Sequence, residues 1–169
     1  MEKGCIIIAN KSDLLSAEEM KKVGKGSVNK PNDDKYQSIR DYISHHFPFL
    51  WMCPLIFVSA QEGEGIDEAI SAIKPIFERR HKVIDAETLK KFLDKILKNN
   101  PPKLLRDQKK PKVFSISQTA SNPPQFELVV NHSGAISTQF RKALENSIIR
   151  DLDFYGTPII LKLRGKDKK

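Results

Sequence analysis

Ile6-Ile7-Ile8-Ala9-Asn10-Lys11-Ser12-Asp13 is the stretch whose reading decides the fold. Its first four residues are apolar without polar alternation, the pattern of a strand buried on both faces in a parallel sheet. Its last four are polar and follow with no spacer, so they sit at the carboxyl end of that strand. Downstream the same grammar recurs. Pro54-Leu55-Ile56-Phe57-Val58-Ser59-Ala60 is a second apolar run that ends in small residues. Between the runs, Ser16 and Glu19 have capping-box spacing and open a short helix that Gly24 and Gly26 end. A polar loop from Gly24 to Asp34 follows, and Ile39, Tyr42, Ile43 and Phe47 set the stripe of a second helix reaching about Pro48. Beyond a Gly63/Gly65 turn, Ile66, Ala69, Ile70, Ile73, Ile76 and Phe77 predict another helix, kinked by Pro75. The order βαβα is a piece of an α/β parallel sheet. Two strands make a poor sheet, so residues 1–82 read as part of a larger domain.

The rest of the chain changes character. Asp85 is placed to cap a helix whose apolar face is Leu89, Phe92, Leu93, Ile96 and Leu97, stopped by Asn99-Asn100-Pro101-Pro102. A basic, proline-bounded linker runs from Lys103 to Lys112. Alternation over Val113 to Thr119 and the run Gln125 to Val130 predict two strands. Ser137 can cap a helix with the stripe Phe140, Leu144, Ile148 and Leu152, and Thr157 to Leu163 predicts a third strand. The order α-β-β-α-β over residues 83–169 implies an α+β domain, a three-stranded sheet with helices on one face.

Charge separates the same two regions. The 169 residues carry a net +8, but residues 1–80 hold 11 Lys/Arg against 12 Asp/Glu, and residues 81–169 hold 18 against 9. A surplus of nine cations on the second half would attract a phosphate backbone through counterion release, or be a solvated lysine-rich surface. Lys109, Lys110 and Lys112 in the linker are the first candidates for RNA contact. The apolar runs are too short to span a bilayer, which predicts no membrane partner and a cytoplasmic protein. Cys5 and Cys53 sit in apolar sequence and read as buried thiols; no Cys/His cluster has metal-ligand spacing, and no catalytic residue is assigned.

The chemistry lies at the two strand ends. Asn10-Lys11-Ser12-Asp13 has the N-K-x-D pattern of a guanine-reading loop. A carboxylate can accept both the N1 and the exocyclic N2 hydrogens of guanine, which adenine cannot offer. The Lys11 stem can lie along the base, and Asn10 can tie the loop together and reach the N7 edge. Read alone, the four residues also fit a polar turn with Asp13 capping the next helix. Ser59-Ala60, at the end of the next strand, is where such proteins place a Ser-Ala pair whose backbone N–H meets guanine O6. Ligands of open α/β sheets bind at the carboxyl ends of the strands. No G-x-x-x-x-G-K-[ST] stretch occurs, so nothing in this sequence cradles phosphates or positions Mg²⁺, and the chain by itself is expected not to hydrolyse GTP.

Taken together, these residues resemble the C-terminal part of the Der/EngA family of bacterial ribosome-assembly GTPases. Further likeness is carried by Pro101-Pro102, Pro123-Pro124-Gln125-Phe126, Val130-Asn131, Leu144-Glu145-Asn146 and Phe154-Tyr155-Gly156-Thr157-Pro158-Ile159. The resemblance implies the second half of a P-loop GTPase domain at 1–82 and a KH-like domain at 83–169. It implies that Asn10, Lys11, Asp13, Ser59 and Ala60 contact the guanine of GTP or GDP, and that Mg²⁺ belongs only to the intact protein. It further implies a GTPase parent acting in large-subunit maturation, whose other GTPase domains would be partners of this segment, with Met1 a cut site or an artificial start and not a natural beginning. Two departures stand out: Ser12 replaces the family's usual Trp, and the 24–34 loop is longer.

Partners follow from the basic half and from the exposed sheet edge. Gly134 is followed by Ala135-Ile136-Ser137, so the GxxG clamp of nucleic-acid-binding KH domains is missing. The basic half is therefore either an RNA-contacting face in a pre-ribosomal particle or a protein-docking surface, and the first is favoured. The alternative to a GTPase segment is a non-catalytic KH-like RNA- or protein-binding module on a remnant scaffold. An uncovered sheet edge beside Ile6 to Ile8 predicts self-association.

Overall fold

The computed structural model describes residues 3–14, 41, 43, 45–103, 111–132, 134 and 136–166. The chain forms two compact units. One comprises Gly4–Phe77 with Tyr155–Thr157, and the other comprises Glu78–Phe154 with Pro158–Lys169 and Met1–Lys3.

In the first unit, β1 (Ile7–Ala9) pairs in parallel with β2 (Leu55–Phe57), with Ile7 opposite Leu55 and Ala9 opposite Phe57. Leu55, Ile56 and Val58 are buried, as the apolar run predicts, but Ile8 is 55% exposed. The expectation of burial on both faces therefore fails at β1, because a two-stranded sheet has little to cover that face among the described residues. A 3₁₀ turn, Ser12–Leu14, follows β1. The helix expected from Ser16 lies outside the described residues. Of the helix expected to reach Pro48, the described positions Asp41, Ile43, His45 and His46 are helical, and Phe47 N–H closes the last turn on the Ile43 carbonyl at 2.7 Å.

After β2, an isolated bridge between Ser59 and Glu64 leads into α1 (Ile66–Ser71) and α2 (Ile73–His81). Gly65 caps α1 with φ at +74°, and a Cβ there would run into the Phe57 carbonyl, so both conformation and close approach require glycine. The expected kink is a full break at Ala72. Pro75 has no N–H for the Ser71 carbonyl, and its ring crowds that same oxygen. The apolar stripe also departs from expectation: Ile76 is buried, whereas Ile66, Ile70, Ile73 and Phe77 are exposed.

In the second unit, α3 (Ala86–Asn99) begins where Asp85 accepts from Thr88 N–H at 2.8 Å, and it buries Leu89, Phe92, Leu93 and Ile96. β3 (Val113–Ser121) and β4 (Pro124–Val130) form an antiparallel hairpin. The capping hydroxyl of Ser137 accepts from Phe140 N–H at the start of α4 (Thr138–Asp151), and β5 (Ile160–Gly165) lies parallel to β4. The sheet order is β3-β4-β5. Alternate residues of β4, Pro124, Phe126, Leu128 and Val130, are buried, and Leu144 and Ile148 of α4 are buried with them. Phe154 closes the core, its ring edge-on to Phe126 at 5.6 Å. The α-β-β-α-β order is as the sequence predicts, but β5 starts at Ile160 and not at Thr157. Gly156 turns the chain with φ at +77°, its backbone N–H is taken by the Met52 carbonyl and its carbonyl by the Cys5 N–H, and the buried Thr157 side chain donates to the Ile76 carbonyl at 3.3 Å.

Candidate functional site

The polar ends of β1 and β2 meet. Asn10 Oδ1 accepts from the N–H of its neighbour Lys11 at 2.8 Å and from Ala60 N–H at 3.2 Å. Lys11 adopts φ of +67°, a region costly for a residue with a Cβ; the Asn10 bond and the Leu14 N–H bond to the Lys11 carbonyl hold it there. Ser12 N–H reaches the Val58 carbonyl at 3.1 Å, which anchors the 3₁₀ turn to the end of β2. Asp13, inside that turn, accepts from the Ser59 hydroxyl at 2.6 Å. Ser59 is fully buried and its Oγ also accepts from Glu62 N–H at 3.2 Å.

Asn10, Lys11, Asp13, Ser59 and Ala60 thus form one constellation from two strand ends. One carboxylate oxygen of Asp13 is held by Ser59, and a carboxylate has about four acceptor positions, so capacity remains for two further N–H donors. The Ala60 N–H already points at Asn10 Oδ1, so an acceptor on a ligand would share or replace that bond.

Lys109 and Lys110 lie outside the described residues. Lys112 precedes β3 in the second unit; its N–H donates to Asn131 Oδ1 at 2.9 Å, and its ammonium stands 5.4 Å from the Phe114 ring centre.

Comparison with known proteins identifies relatives of the chain. Residues 84–164 match the family described as the KH-domain-like C-terminal domain of EngA bacterial GTPase enzymes. The chain is 31% identical over 167 residues to GTPase Der of Protochlamydia amoebophila, covering 99% of this chain and 31% of that protein. GTPase Der of Desulforudis audaxviator is 29% identical over 99% of this chain and 35% of its own length. The chain belongs to the Der/EngA family. It spans about a third of the length of these curated relatives.

Within this Der/EngA chain two features escape the motif reading. Cys5 and Cys53 each precede the paired strands by the same offset, so the β1–β2 register brings them side by side. Burial, hydrogen bonding with Cys5 and its charge push the Cys53 thiol up to about 12, which keeps it protonated. Cys53 is buried as the sequence predicts; Cys5 is only half-buried. The second feature is basic alternation in Lys162, Arg164 and Lys166, which places the first two on one face of β5 with Lys166 just past its end. The period of two is plain in the sequence, but only the structure shows what lies beside it. Among the described residues no helix is long and apolar enough to cross a membrane.

Proposed function

We propose that residues 1–82 are the guanine-reading half of a GTPase domain, and that residues 83–169 dock the protein on RNA of the assembling large ribosomal subunit in the cytoplasm. The observation that carries the guanine reading is the joining of Asp13 to Ser59 and of Asn10 to Ala60. In this assignment Asp13 takes the N1 and N2 hydrogens of GTP or GDP, Lys11 lines the base, and Asn10 locks the two loops. The Mg²⁺ and phosphates would be held by a P-loop that this sequence does not contain. The net surplus of positive charge after residue 80 supports the RNA assignment.

Saturation-transfer NMR on the chain with millimolar GDP, ADP and XDP tests the base site. Wild type should give a GDP signal and no ADP signal, and Asp13→Asn should move the preference to XDP, whose carbonyl matches the new amide donor. An unchanged GDP/XDP preference in the variant would make Asp13 only a structural cap. A second reading, a KH-like binding module on a remnant scaffold, is favoured by the same charge surplus and predicts no GDP signal at all. The exposed Ile70, Ile73 and Phe77 support self-association, which light scattering at rising concentration checks.

A further inference from the structure

The sheet β3-β4-β5 has two faces, and the core accounts for one. Phe126, Leu128, Val130 and Leu161 are buried. Opposite them lies an open groove of about 1130 Å³, lined among others by Phe114, Glu127, Lys162, Arg164 and Lys166. Its cations outnumber its one carboxylate, and Arg164 Nη1 stands 3.5 Å from Glu127 Oε1, which offsets that negative charge.

Phe114 is the unusual member. The register steps from Val113 opposite Val130 to Ser115 opposite Val129, so Phe114 is the extra residue of a β-bulge. Bulges re-aim a side chain out of the regular pleat. Its ring is 40% exposed, with the ammonium groups of Lys112 at 5.4 Å and Lys166 at 4.8 Å from its centre. An aromatic ring kept in solvent between cations costs hydrophobic burial that the core could have used. It is the arrangement that a stacked base with a phosphate on either side requires.

We propose that this open sheet face is a single-stranded RNA site in which Phe114 stacks a base and Lys112, Lys162, Arg164 and Lys166 hold the adjoining phosphates. The proposal deepens the RNA-docking reading and rests on it. Lys162 and Arg164 are alternate residues of β5, which recur about every 6.6 Å, comparable with the step between phosphates of an extended strand. Without ligand, the Lys112 and Lys166 ammoniums rest against the ring. Base-on-aromatic stacking exceeds an exposed cation–π contact, so an arriving base displaces both and leaves them to the phosphates. A duplex cannot use the ring, because its bases are already stacked.

The test is fluorescence anisotropy of the whole chain with labelled short oligouridylate, the same length of duplex RNA, and oligoglutamate as competitor. Phe114→Ala should weaken oligouridylate roughly tenfold with no change in salt slope, leave duplex binding unchanged, and be rescued by Phe114→Tyr. Lys162→Gln with Arg164→Gln should reduce the slope of log Kd against log salt by about 1.4, the value for two single-strand phosphate contacts. RNA binding that is indifferent to both sets of variants would overturn this site while leaving RNA docking elsewhere intact. No RNA binding at low salt would overturn both. Oligoglutamate competing as well as unlabelled oligouridylate would overturn it in favour of an acidic protein segment.

Discussion

The hydroxyl of Ser59 donates to Asp13 Oδ1 at 2.6 Å, across 46 residues of sequence. The carboxylate is therefore oriented before any ligand arrives, so a guanine would not have to supply the entropy of ordering it. The same oxygen of Ser59 accepts from Glu62 N–H, so the turn after β2 and the turn after β1 share one buried atom.

Ser59→Ala removes that atom and leaves Glu62 N–H and Asp13 short of a partner. The variant should lose about 1–3 kcal/mol, read by urea denaturation, and its GDP signal should fall in the same experiment that defines the base site. A midpoint equal to wild type would mean that the Ser59–Asp13 bond contributes nothing.

Nucleotide affinity should be weak. With the proposed base contacts and no phosphate-loop sequence, the chain should bind GTP or GDP no tighter than about 1 mM, since helix N-termini and phosphate-loop amides supply much of the binding energy in such sites. Titration calorimetry in the presence of Mg²⁺ checks this, and micromolar binding would contradict it.

Cys53 makes an alkaline prediction. Its thiol is raised from 9.0 to about 12 by burial first, then by hydrogen bonding with Cys5 and by its charge. The folded protein keeps the proton while the unfolded chain gives it up, so the stability this provides is full below pH 9 and is lost as pH rises toward 12. Thermal melts across that window should decline less steeply for Cys53→Ala than for wild type. At pH 8, iodoacetamide should leave Cys53 of the folded protein largely unmodified, because the thiolate is the reacting form and the buried Cys53 thiol keeps its proton.

Asp85 makes an acid prediction of opposite sign. The Thr88 backbone N–H and then its hydroxyl hold the Asp85 carboxyl below its ordinary range. Its stabilisation is present above the unfolded carboxylate range and is lost as pH falls through the depressed folded value. Asp85→Asn caps without a charge, so circular dichroism should show a shallower acid loss of α3 than in wild type, while Asp85→Ala should weaken the helix at every pH.

Local signals were legible in the sequence and covering surfaces were not. α3 could be read to its cap because Asp85 and the Leu89, Phe92, Leu93, Ile96 spacing are determined within fifteen residues. The Asn10–Asp13 and Ser59–Ala60 segments could be paired because both end apolar runs. Their hydrogen bonds to each other could not, since the parallel register sets them. Periodicity identified an apolar stripe over Ile66–Phe77, but period alone cannot say what lies against it, and most of it is exposed. Phe114 read as one more alternating strand residue, because a bulge is a property of the pairing and not of either strand.

The Gly4–Phe77 unit is completed by three residues from far along the chain. Cys5 N–H donates to the Gly156 carbonyl at 2.8 Å, Gly156 N–H donates to the Met52 carbonyl at 2.7 Å, and Trp51 meets Tyr155 edge-on at 6.2 Å. During synthesis the amino-terminal residues of this unit emerge first, yet the Cys5 N–H, two residues before β1, cannot make its bond until Gly156 has been added. Vectorial folding of one domain after another is thus unavailable here: the earlier unit must wait, incomplete, while nearly all of the later one is made. A truncation at residue 82 would hold the protein permanently at that stage, with the Cys5 and Met52 backbone groups unpaired and the Trp51 ring uncovered.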